Sequence, residues 1–116
     1  MAPLDFETTL SSAGDALIAL AGELDLSGAP ALDQEIEALS ARPEVERVVI
    51  DLRGLEFLDS SGLRVVALAE RRLSAAGRRL VLVRGSETVQ RVFEITRMGE
   101  RLTFIDSPDL NGSGGA

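Results

Sequence analysis

Residues 47–76, RVVIDLRGLEFLDSSGLRVVALAERRLSAA, constrain the fold more than any other stretch, because their hydrophobic pattern changes period across one short polar turn. Val48, Val49, Ile50 and Leu52 make a β-branched apolar run of strand length, which reads as a buried parallel strand. Gly54 interrupts the run before Phe57 and Leu58 bring apolar side chains back. Beyond Asp59, Ser60 and Ser61 the period becomes helical. Val66, Ala69, Leu73 and Ala76 recur on one face with Leu63 and Val65 beside them, while Arg64, Glu70, Arg71 and Arg72 take other directions. Either Asp59 or Ser60 can cap this helix, since a short oxygen-bearing side chain there accepts a hydrogen bond from an unpaired N–H of the first turn. Gly62 keeps the turn open and Gly77 supplies a stop. Arg71, Arg72, Arg78 and Arg79 gather near the C-terminal end, where cations complement the helix dipole. In most proteins such a polar cluster is a helix cap and nothing more. Here it sets two hydroxyls beside a glycine at a strand-to-helix junction, the place where an open α/β sheet presents its functional groups.

The flanking sequence supplies the remaining layers. Leu4, Phe6, Thr8 and Leu10 alternate with acids and Thr9, as in a strand with one wet face. After a turn at residues 12–15, the apolar run from Ala16 to Ala21 predicts a second, deeper strand that ends at Gly22, with Glu23, Leu24 and Asp25 as a polar exit. Ser27 or Gly28 starts a helix with Pro30 in its first turn, a buried stripe of Ala29, Leu32, Ile36 and Leu39, and a close at Arg42 and Pro43. Leu80, Val81, Leu82 and Val83 predict another strand. Ser86 caps a third helix that buries Val89, Val92, Phe93 and Thr96 and ends near Met98 and Gly99. Leu102, Thr103, Phe104 and Ile105 form a short edge strand. The order is β-β-α-β-α-β-α-β, an open mixed α/β sheet of about five strands with helices mainly on one face. Residues 1–106 form the single domain, and the Gly- and Ser-rich residues 107–116 form a flexible tail.

Composition removes whole classes of chemistry. The 116 residues include no Cys and no His, so thiol nucleophiles, imidazole bases and the usual zinc ligands are all missing. All 12 basic residues are Arg, which removes Schiff-base lysines and the lysine of a phosphate-binding loop. The formal charge of −7 opposes nonspecific attraction to nucleic acid or anionic membranes and favours a protein partner. No dinucleotide-type glycine pattern follows a strand, and no cofactor or metal is expected. The start, MAPLDFETTL, lacks a basic segment followed by a long apolar core, so cytoplasmic residence is expected.

Residues 51–63, DLRGLEFLDSSGL, with the helix that follows them, resemble the signature of STAS domains, specifically bacterial anti-sigma factor antagonists. Gly22-Glu23-Leu24-Asp25 is similar to the GELD-like end of that family's second strand, and Val89-Gln90-Arg91-Val92-Phe93 to its third helix. The resemblance implies a non-enzymatic switch. Ser60, the first Ser of the motif, is then the residue phosphorylated by an ATP-dependent anti-sigma factor serine kinase. The unphosphorylated form binds that kinase and frees a sigma factor, and a serine phosphatase reverses the modification. The implied partner surface comprises Glu23, Asp25, Asp59, Ser61, Gly62, Leu63 and Arg64. Two alternatives stand beside it. One is a scaffold or sensor STAS domain without a switching serine; the other is a receiver-type domain phosphorylated on Asp51, which would need a late lysine this chain lacks. Ser60 as an enzymatic nucleophile has no base to activate it.

Overall fold

Each apolar run becomes a strand of one five-stranded sheet in the computed structural model, which describes residues 2–108. The elements are β1 (Asp5–Leu10), β2 (Asp15–Leu24), α1 (Ala29–Ser40), β3 (Arg47–Leu58), α2 (Ser60–Ala75), β4 (Arg79–Val83), α3 (Glu87–Ile95), a 3-10 turn (Met98–Arg101) and β5 (Phe104–Ile105). Strand order follows the chain, β1-β2-β3-β4-β5, with β1 antiparallel to β2 and the remaining pairs parallel. Successive parallel strands step across the sheet in one direction. Crossovers of a single hand therefore bring α1, α2 and α3 to the same face. The main core accordingly joins Leu32, Ile36, Val66, Leu73, Val89 and Phe93 of the helices to Ile18, Ile50 and Leu82 of the sheet. A smaller cluster of Val49, Val81 and Val83, with Leu17 and Ile105 against it, lies on the opposite face.

Several predicted boundaries move. β2 does not end at Gly22; it continues to Leu24, because Glu23 and Leu24 pair with Phe57 and Leu58 while the Glu23 N–H donates to the Ala2 carbonyl at 3.1 Å. Nor does Gly54 interrupt β3. The register between β2 and β3 shifts between Ala19 and Ala21, and a Cβ on Gly54 would stand 2.6 Å from the Leu20 carbonyl oxygen. Gly54 thus lets the bulged β3 backbone approach β2 inside a continuous strand. α1 ends at Ser40, before Arg42 and Pro43, and its N-cap Gly28 makes no side-chain cap, so the Ser27 hydroxyl does not start the helix. α3 closes at Thr96, which is exposed, as is Ala76 beyond α2. Met98 and Gly99 belong to the 3-10 turn, and only Phe104 and Ile105 of the expected edge strand pair with β4. Residues 109–116 of the expected tail lie outside the described residues.

Candidate functional site at the β3–α2 turn

The backbone of Asp59 is extended, with φ −115° and ψ −167°, and its Oδ1 accepts from the N–H groups of Ser61 at 2.8 Å and Gly62 at 3.2 Å. Asp59 is therefore the N-cap, which frees Ser60 from capping. Ser60 is the first helical residue. It is exposed, and its hydroxyl has no hydrogen-bond partner among the described residues. Ser61 is half-buried, Gly62 and Leu63 are buried, and Arg64 is exposed, with no ion pair among the described residues.

The turn is seated on the end of β2. The Asp59 N–H donates to the Leu24 carbonyl at 3.3 Å, and a Cβ on Gly62 would lie 2.8 Å from Leu24 Cγ and 3.0 Å from its carbonyl oxygen. The expected neighbourhood of the serine turn and the Gly22-Glu23-Leu24-Asp25 segment is thus realised through Leu24. Glu23 itself is half-buried within β2, opposite Phe57. Asp25 is occupied within its own loop: Oδ1 accepts from the Ser27 hydroxyl at 2.8 Å, the Ser27 N–H at 3.0 Å and the Gly28 N–H at 3.3 Å. The Ser27 hydroxyl, followed by these backbone donors, holds its carboxyl below the usual value despite some opposing desolvation. Asp25 and Glu23 make no hydrogen bond to Ser60.

Beside Ser60 an open cleft of about 430 Å³ separates the first turns of α1 and α2. Leu26, Ala29, Pro30 and Asp33 line one wall, and Ser61, Arg64, Val65 and Leu68 the other. Leu26 is 75% exposed and Leu68 37%. Neither was singled out in the sequence; a lone Leu between Asp25 and Ser27 in turn-forming composition was the available signal for the first.

No imidazole exists in the chain to deprotonate Ser60, and among the described residues no group of three or more His, Cys, Asp or Glu side chains could hold a metal ion. Asp51 is not placed as a receiver's acceptor. It lies in the middle of β3 rather than at its carboxyl end, 6% exposed, and is gripped by Arg53 Nε at 3.0 Å and by its terminal nitrogen at 2.9 Å.

A family model described as "Mlab, STAS domain" matches residues 8–105. The chain belongs to the STAS domain family. Among STAS relatives, an anti-sigma F factor antagonist of Lysinibacillus sphaericus is 30% identical over 96 residues, covering 83% of this chain and 82% of that protein. The anti-sigma-F factor antagonist RsfB of Mycobacterium tuberculosis is 37% identical over 76 residues, 65% of this chain and 61% of that protein. The anti-sigma factor antagonist SpoIIAA, in its unphosphorylated form, superposes with a TM-score of 0.81 at 25% identity over 96% of this chain and 95% of its own. The phosphorylated form of the Bacillus SpoIIAA has the same fold, with a TM-score of 0.74 at 23% identity over 97% of this chain and all of its own. Among the described residues no helix is long and apolar enough to cross a membrane.

Proposed function

We propose that this STAS domain is an anti-sigma factor antagonist whose binding is switched by phosphorylation of Ser60. The observation that carries the switch is the division of labour in the turn: Asp59 takes the cap, leaving the Ser60 hydroxyl exposed and unbonded at the first residue of α2. An ATP-dependent anti-sigma factor kinase is the donor, a separate serine phosphatase the eraser, and the cytoplasm the setting. The partner surface combines residues 59–64 with Glu23 and Asp25, because β2 and β3 run parallel as neighbours and release both segments on one edge. A helix N-terminus tolerates a phosphate. An interface built for the neutral serine does not, since about −1.5 to −2 charges would be desolvated there without new cations.

Incubation of the chain with ATP and the anti-sigma kinases of its own genome, followed by intact mass measurement, tests this reading. One phosphate is expected on the wild type and on Ser61→Ala, and none on Ser60→Ala. Stoichiometric labelling of Ser60→Ala, or a hydroxylamine-labile product that marks an acyl phosphate, would sink the assignment.

A further inference from the structure

Next to Ser60 stand a cation, Arg64, and an apolar cleft. Arg64 follows Ser60 by four residues on α2, so the two side chains share one helix face about a turn apart. The acid on the same cleft and the acid that caps α2 are both already committed. Asp33, on the same cleft, meets Arg72 at 3.4 Å, and Asp59 accepts two backbone N–H groups. Arg64 is therefore an uncompensated cation on the rim of a cleft whose walls include Leu26, Ala29, Pro30, Val65 and Leu68. Exposing Leu26 and Leu68 to water is unfavourable for the isolated domain, and an occupant with an apolar side chain would relieve it.

We propose that this cleft receives an apolar side chain of the anti-sigma factor, with an adjacent carboxylate of that partner on Arg64, and that a phosphate on Ser60 captures Arg64 in competition with that carboxylate. The inference rests on the Ser60 reading and specifies how its switch acts. The phosphate carries nearly twice the charge of a carboxylate and is tethered one turn away, N-terminal to the cation, which is the favourable order on a helix. Its contact with Arg64 is intramolecular, so a fixed effective concentration of phosphate faces the cation whenever the partner is absent. Phosphorylation would then both add charge to the interface and withdraw the cation that anchored the partner.

Two measurements test the proposal. In titration calorimetry of the unphosphorylated protein against the nucleotide-bound anti-sigma factor, Arg64→Gln and Leu26→Ser are each expected to weaken binding by about tenfold or more. Both side chains are exposed, so circular dichroism and melting should match the wild type. In the second, phosphoserine is placed at position 60 by chemical synthesis, with no kinase or partner present, and its phosphorus resonance is followed against pH. The second ionisation of the phosphate is expected about 0.3 pH lower with Arg64 than with Arg64→Gln. Wild-type binding that neither variant weakens would overturn the cleft, and superimposable titrations would overturn the capture of Arg64. Absence of wild-type binding would instead remove the antagonist reading itself, so the two failures are told apart.

Discussion

At Gly62 the limit is space rather than backbone conformation. A methyl group there would enter Leu24, meeting Cγ at 2.8 Å and the carbonyl oxygen at 3.0 Å, and neither is the free end of a flexible side chain. Gly62→Ala should therefore push α2 off the end of β2 and cost about 1–3 kcal/mol, read as a lower urea midpoint with an unchanged slope; a wild-type midpoint would refute the close packing. Across this contact Asp25 acts differently. Its carboxyl is held below 3.8 first by the Ser27 hydroxyl, then by backbone donors. A folded value below the unfolded one means that the stabilisation is present above 3.8 and is lost only as pH falls through the lower folded value. The Ser27 and Gly28 amide resonances should titrate together with a midpoint on the acid side of 3.8. Movement centred above 3.8 would mean that the loop bonds do not hold the carboxylate.

Between elements, the arginines join helices rather than merely complementing their own. Read along the sequence, Arg71, Arg72, Arg78 and Arg79 belong to the end of α2, yet only Arg72 lies in its last turn. Arg72 reaches Asp33 of α1, and the Arg78 guanidinium donates to the Leu39 and Ser40 carbonyls at the end of that helix. α1 has no basic residue in its own last turn, so Arg78 supplies the missing cation from elsewhere in the chain. Arg78→Ala should cost about 1 kcal/mol, lowering the melting temperature by about 4–8 °C. Arg79→Ala, at an exposed position without an ion pair among the described residues, should leave it unchanged. Equal melting of the two variants would remove the inter-helix cap. This distinction marks what the sequence could and could not reveal. Periodicity located all three helices and the five strands along the chain, because those follow from nearest-neighbour spacing of apolar residues. It misread Gly22 and Gly54, because a bulge shared by two strands exists only once they are paired. The burial of Gln90 is not legible in the sequence for the same reason: it is 8% exposed, and its Oε1 accepts the Gly85 N–H at 2.8 Å, a bond that spans the β4–α3 connection. The serine turn was legible as a motif, whereas the choice of Asp59 over Ser60 as cap needed the extended backbone at Asp59.

For the whole molecule, the parallel pairing of β2 and β3 leaves the turns after them together at one end of the sheet. Ser60 is exposed at the surface of the sheet's end, outside the buried core. A negative charge there meets two opposing local effects, the favourable N-terminal dipole of α2 and the unfavourable carboxylate of Asp59 next door. Each is worth at most about 1 kcal/mol at an exposed position. Their sum is too small to repack a sheet whose central strands bury Ile18, Val48, Ile50 and Leu82 completely. Ser60→Asp should therefore melt within about 5 °C of the wild type, and its amide exchange should match in β2, β3 and β4 while affinity for the anti-sigma factor falls. The pattern of exchange is decisive because affinity alone does not distinguish an altered surface from an altered fold. Protection lost through the second half of β3 and the first turns of α2 would show that the charge undoes the seat of the turn on Leu24, and the switch would then be conformational. Protection unchanged, with binding lost, locates the switch in the charge at the interface.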